Sequence, residues 1–305
     1  MNSVERTLQE LHAVLTRVGT QELHLLADGS VWWVGSEGLR PIEHHCTYSL
    51  RNRLVSFIAD QAGVEIHAMA PILSVMVTVF GEPWRVTAFH PPVAKEMTLT
   101  LRRLSKSPIP LSHYVETGRL SVGGAERLLE ALAGGERILV FGANRSGKTT
   151  FATALLQHYL DLHPNTSLTV IEDTPEIRLR SGCVRTLTTA PYASVDFAAL
   201  VTAALRTGAS RIVLGEIRDS AATGALLNAY RSGHGGLTTF HAGDARQALF
   251  RLRDLAGYDR LAPIAAALPI FVHMVETYVE AIYHVTEKQD GDASIATLYD
   301  RKENP

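Results

Sequence analysis

The chain has 305 residues, enough for two ordinary domains, with 46% hydrophobic and 20% charged residues, a normal globular balance. Its formal net charge of −2 supplies no global basic field, so composition gives no strong sign of direct nucleic-acid binding. Cys46 and Cys183 lie far apart, show no metal-ligand spacing such as CxxC, and fit a reducing cytoplasm.

The N-terminus carries Glu5 and Arg6 without an apolar signal core, which argues against secretion. Val4, Leu8, Leu11, Leu15 and Val18 recur at helical spacing, and Gly19 follows as a stop. Leu23–Leu26 and Val31–Val34 flank the turn Asp28-Gly29, a hairpin signal. A helix is predicted from about Tyr48 to Ala62, with Leu50, Leu54, Phe57 and Ile58 on one face and Gly63 after it. Strands then return at Val75–Phe80, at Trp84–Phe89 after a turn Gly81-Glu82-Pro83, and at Met97–Leu101. This block, residues 1–104, reads as a small α+β domain. A link over 105–120 contains Pro108 and Pro110.

From 121 to 305 the pattern alternates between helix and strand. A helix around Leu128 to Leu132 stops at Gly134-Gly135, and a strand over Ile138–Phe141 precedes a helix that runs to about Leu162. A strand over Ser167–Ile171 is followed by a helix over Asp196–Arg206 with Gly208 as its cap, and strands follow at Ile212–Leu214 and Leu237–Phe240. Such alternation predicts a parallel sheet flanked by helices. The longest uncharged stretches, Ile66–Gly81 and Leu261–Val275, are short for a bilayer span and contain proline. Any membrane association is then peripheral.

Gly142, Ala143, Asn144, Arg145, Ser146, Gly147, Lys148 and Thr149 match GxxxxGK(S/T), with Thr150 next in line. Glycines let backbone N–H groups close around phosphate oxygens, and the following helix adds its positive end. Lys148 is placed to reach the β- and γ-phosphates and the Thr149 hydroxyl to ligate Mg²⁺, so ATP and Mg²⁺ are the expected cofactors. Arg145 stands where many such loops have glycine.

Two acidic strand ends follow. The strand LTVI ends in Glu172-Asp173, with Glu176 soon after. A carboxylate there orients or activates water for attack on phosphate, or else serves only to cap structure. The strand RIVLG ends in Glu216, with Gly215 where an aspartate is usual. Glu216 either holds Mg²⁺ through water and positions the nucleophile, or pairs with Arg218 at the surface. The segment Gly233 to Ala242 carries His234 and places His241 at a strand end, where an imidazole either senses the γ-phosphate or serves only as a satisfied structural residue.

These four motifs, in this order, resemble the secretion ATPase superfamily and its TrbB-like branch of conjugation and type IV secretion. IEDTPEI resembles the family's aspartate box, RIVLGEIRD its Walker B with GE in place of DE, and GHGGLTTFHA its histidine box. Upstream, LADGSVWWV, WRVTAFHPPV, LTLRRLS and LSHYVETGRLS are similar to the N-terminal domain and linker of that branch. The resemblance implies a C-terminal RecA-like P-loop ATPase domain behind a smaller, PAS-like N-terminal one. It implies Glu172 as general base, Glu216 near Mg²⁺, and His234 and His241 as the two histidine-box positions. Arg206 matches an arginine that contacts nucleotide or a neighbouring subunit, and Arg85 and Arg102 match arginines that close over the nucleotide. It further implies a homohexamer in the cytoplasm, peripherally associated with inner-membrane secretion or conjugation components. Within the same family a pilus extension or retraction ATPase is the alternative. A nucleotide-gated scaffold with little turnover and a DNA translocase are the readings outside it, and the near-neutral charge argues against the last.

Overall fold

The structure is a computed structural model and describes residues 9, 12–17, 19–35, 37–104, 108–180, 182–190 and 194–303. The chain divides into two compact units, Met1–Lys106 and Ser107–Pro305.

In the first unit, the predicted opening helix is represented among the described residues by α1 (His12–Leu15), while Val4, Leu8, Leu11 and Val18 lie outside them. Then come β1 (Glu22–Leu25), β2 (Ser30–Gly35), β3 (Gly38–His45), α2 (Tyr48–Ala62), β4 (Ile72–Val79), β5 (Glu82–Phe89) and β6 (Thr98–Arg103). The six strands form an antiparallel sheet in the order β3-β2-β1-β6-β5-β4. Helix α2 has the predicted bounds because both ends are satisfied. Thr47 accepts from the Leu50 N–H at its start, and Gly63 at φ 65° closes its end. Its face of Leu54, Val55 and Ile58 packs into a core with Leu23, Leu25, Trp84, Val86 and Leu101. The predicted turn Gly81-Glu82-Pro83 is instead Phe80-Gly81, because Val79 already pairs with Glu82 and Pro83 lies within β5.

The second unit begins inside the stretch expected to be a link. There α3 (Leu111–Glu116) buries Leu111 and Tyr114, and Tyr114 meets Phe151 edge to face at 5.2 Å, so these residues belong to a core. The order continues with α4 (Val122–Ala133), β7 (Arg137–Gly142), α5 (Lys148–Leu162), β8 (Ser167–Glu172), β9 (Cys183–Thr188), α6 (Phe197–Ala204), β10 (Arg211–Leu214), α7 (Ser220–Arg231), β11 (Gly235–His241), α8 (Ala245–Ala256), α9 (Ala262–Ala267), β12 (Ile270–Val275), β13 (Tyr278–Glu287) and β14 (Ala293–Asp300). Helix α6 is shorter than expected. Asp196 caps its start, and at its end the Thr207 hydroxyl and two tight backbone bonds take the Ala203 and Ala204 carbonyls, so Gly208 lies beyond the cap.

The eight strands run β14-β13-β12-β7-β11-β10-β8-β9. From β12 to β9 every pair is parallel, and β13 and β14 are antiparallel. Alternation of side chains explains the apolar strands. Ile138, Val140, Val170 and Val213 face a core shared with α4 and α5; Leu139, Phe141, Ile171 and Leu214 face one shared with α6, α7 and α8. The uncharged stretch Leu261–Val275 divides into α9 and β12, the latter lying between β7 and β13. Among the described residues no helix is long and apolar enough to cross a membrane.

Candidate nucleotide site

Parallel strands end together, so β7, β8, β10 and β11 deliver Gly142, Glu172, Gly215-Glu216 and His241 to one edge of the sheet. Gly142 and His241 are direct register partners.

The phosphate-loop candidate spans the gap between β7 and α5. Gly142 is a glycine for a steric reason: a Cβ there would stand 2.2 Å from the Met274 carbonyl oxygen and 2.7 Å from Ser146 Oγ. Gly147 at φ 85° turns the chain into α5. Arg145 has φ 63°, a left-handed conformation that explains why such a position favours glycine. Ala143, Asn144 and Arg145 are exposed, Thr149 is half-buried, and Thr150 is exposed. Ser146 Oγ is buried and has no hydrogen-bond partner among the described residues.

Lys148 is 6% exposed. Its ammonium donates to the carbonyls of Gly142 at 3.2 Å and Ala143 at 2.7 Å and lies 3.1 Å from His241 Nδ1. Burial lowers its pKa, opposed by the charge of Glu216. On the far side of the ring, His241 Nε2 is 2.7 Å from Glu216 Oε1. One tautomer satisfies both contacts: Nδ1 accepts from Lys148, and Nε2–H donates to Glu216. Burial first, then the Lys148 charge, lowers the His241 pKa, opposed by the charge of Glu216. Glu216 Oε2 accepts from Arg218 Nε at 2.7 Å, and the same guanidinium donates to Asp173 Oδ2 at 2.5 Å. The pairing of Glu216 with Arg218 is therefore present, but inside a chain that runs from Lys148 to Asp173. Arg218, two residues beyond Glu216 in GEIRD, is the member that motif reading leaves without a role.

Glu172 is 4% exposed. Its carboxylate accepts from the N–H groups of Glu176 and Ile177, each at 3.1 Å, and so holds the EDTPE turn. Burial nonetheless pushes its pKa up to about 7, against those hydrogen bonds. Glu172 thus has both a structural contact and a proton affinity suited to a base.

Other expected residues lie elsewhere. His234 precedes β11, so the length of that strand, roughly 20 Å, separates it from His241. Its Nδ1 lies 3.2 Å from the Ala229 carbonyl. Arg206 is exposed in the turn after α6, beside the starting end of β8, where Ser210 N–H donates to the Ser167 carbonyl. Neither joins the Lys148 cluster within one chain. In the first unit Arg85 and Arg102 are cross-strand partners on β5 and β6, and Glu22 on β1 pairs with Arg102 at 3.7 Å.

A glycine-bounded loop ahead of a helix start, with a buried lysine and the hydroxyls of Ser146 and Thr149, is suited to phosphate. Thr149 and Glu216 offer the oxygen donors that Mg²⁺ takes alongside phosphate and water.

The profile of a family described as type II/IV secretion system protein matches residues 73–296. The conjugal transfer protein TrbB of Rhizobium radiobacter is 34% identical over 203 residues, covering 66% of this chain and 61% of that protein. The type IV secretion system protein PtlH of Bordetella pertussis is 31% identical over 280 residues, covering 82% of this chain and 80% of that protein. The chain therefore spans less than two thirds of the first relative and four fifths of the second. Among solved structures, the Legionella pneumophila ATPase DotB superposes with a TM-score of 0.66 at 18% identity, over 96% of this chain and 79% of that one, a likeness of fold.

Proposed function

Because the chain belongs to the type II/IV secretion system protein family, we propose that it is a Mg²⁺-dependent ATPase acting as a homohexameric motor of conjugative transfer or type IV secretion. In this reading the second unit is a RecA-like P-loop domain and the first a PAS-like domain. The motor is cytoplasmic, sits peripherally at the inner membrane, and drives substrate translocation or pilus biogenesis.

The observation that carries the reading is the unbroken chain Lys148–His241–Glu216, which ties the phosphate loop to the end of β10. Phosphoryl transfer needs positive charge on the β,γ-oxygens, a divalent ion and an oriented water. The α5 start and the loop N–H groups receive phosphate, and Lys148 exchanges the carbonyls of Gly142 and Ala143 for its oxygens. Bound Mg²⁺ supplies neutralisation of the charge that develops on those oxygens. Thr149 and Glu216 would hold it, and His241 keeps Glu216 aligned with Lys148. Glu172 takes the proton of the attacking water. Arg206 and His234, at the other edge of the sheet, serve the nucleotide of a neighbouring subunit.

The test is Mg²⁺-dependent ATP hydrolysis by the purified protein beside Lys148→Ala and Glu172→Gln, with assembly size read on the same samples. Hydrolysis by a ring, lost in both variants, supports the motor. Full turnover by a monomer at high dilution sinks the ring. A second reading, a nucleotide-gated scaffold with little turnover, is favoured by the left-handed Arg145 in the loop. Tight ATP binding without hydrolysis in the wild type would select it.

A further inference from the structure

The turn joining β12 to β13 lies outside every motif above. Val275 pairs with Tyr278, so Glu276 and Thr277 are the whole connection. Their φ angles are 46° and 73°. A two-residue hairpin turn with both residues left-handed prefers Asn-Gly, and a β-branched threonine is a poor occupant. Strain of this kind persists only where the surroundings hold it, and it gathers at functional sites.

The surroundings are the phosphate loop. The Thr277 N–H donates to the Ser146 carbonyl at 3.2 Å. Met274, at the end of β12, pairs with Gly142 and presents the carbonyl oxygen that excludes a side chain there. Thr277 Cγ2 and Cα stand 3.4 and 3.5 Å from where a Cβ of Gly147 would be. One hairpin therefore packs against both glycines that bound the loop. It is braced from behind as well. The Tyr278 ring has the guanidinium of Arg301 3.8 Å and that of Arg119 5.8 Å from its centre, and the Val279 N–H donates to the Arg119 carbonyl at 2.9 Å.

Backbone N–H groups bind phosphate only when several are held toward one centre, and a carbonyl turned the same way repels it. Tying the Ser146 carbonyl to Thr277 keeps it off the phosphate side. We propose that the Glu276–Thr277 turn is a positioning element of the nucleotide site, which fixes the backbone from Gly142 to Gly147 in its phosphate-receiving form. This rests on the nucleotide reading above.

The experiment is titration of a fluorescent ADP with Mg²⁺ into the full chain, with thermal melting of each sample. One variant inserts a glycine between Glu276 and Thr277. A three-residue hairpin loop keeps the strands paired while it moves the Thr277 N–H away from Ser146. The second is Thr277→Gly, which adopts the left-handed angle without strain and removes the wall against Gly147. The insertion is expected to weaken ADP binding by roughly tenfold or more, and Thr277→Gly by about fivefold with an unchanged or higher melting midpoint. Wild-type affinity within about twofold in Thr277→Gly, or in a folded insertion variant, overturns the proposal. If the insertion unfolds the chain, Thr277→Gly decides alone. A wild type that binds no ADP sinks the nucleotide reading itself, and this inference with it.

Discussion

Gly215 and Glu172 share one space: a Cβ on Gly215 would stand 2.8 Å from Cγ of Glu172 and 3.3 Å from its Oε1. This contact explains why the strand end reads Gly-Glu where Asp-Glu is usual. An aspartate would push into a side chain that is 4% exposed and place a second negative charge beside it. Gly215→Asp is therefore expected to destabilise the chain by about 1–3 kcal/mol, in the range for overpacking, and to lower ATP hydrolysis at least tenfold. Thermal melting and steady-state hydrolysis on one preparation check both. A variant with wild-type melting and turnover would mean that Glu172 moves aside freely.

Glu172 carries a pH signature. Its pKa rises from 4.5 to about 7 on folding because burial disfavours the carboxylate. A carboxyl raised in the folded state costs nothing below its unfolded pKa. The cost grows as pH rises from about 4.5 and is complete above about 7, at most about 3 kcal/mol. Glu172→Gln keeps an acceptor for the Glu176 and Ile177 N–H groups and removes the charge. Its melting midpoint should exceed the wild type's at pH 8, with the gap closing toward pH 5. In the wild type, hydrolysis should rise with pH on a limb centred near 7. A melting difference that does not change with pH would show that Glu172 keeps an ordinary pKa in the fold.

Legibility in the sequence follows the range of the forces involved. Helix α2 was readable to the residue because Thr47 and Gly63 are local signals at its ends. The strand, loop and helix around Lys148 were readable because a local motif carries them. Strands β3 and β9 leave little trace in the sequence because edge strands show little apolar run: GLRPIEHH is mostly exposed. Pro108 and Pro110 suggested a link, but Leu111, Tyr114 and Leu120 are buried by partners distant in sequence. In the site, the residue types at the strand ends were legible. The contact of Lys148 with His241, and of Arg218 with Asp173, depends on strand order, which no local pattern contains.

His241 separates binding from chemistry. Its ring takes a hydrogen bond from Lys148 on one side and gives one to Glu216 on the other. His241→Ala removes the link and leaves both partners in place. Lys148 retains the Gly142 and Ala143 carbonyls, so the loop stays ordered. The expected outcome is a fall in kcat of about tenfold or more with KM for ATP changed by less than about threefold. A rise in KM alone would assign His241 to nucleotide binding instead.

Arg145 decides between motor and scaffold. It holds φ 63° in the loop, an angle that an L-residue adopts at a cost of about 1 kcal/mol and that glycine adopts freely. Arg145→Gly is expected to raise the melting midpoint by a few degrees, offset in part by the greater freedom of glycine in the unfolded chain. If the exposed side chain has no part in turnover, hydrolysis by Arg145→Gly stays within about threefold of the wild type. An increase of about tenfold or more would identify Arg145 as a brake on turnover. It would make the nucleotide-gated scaffold the better description of the wild-type chain.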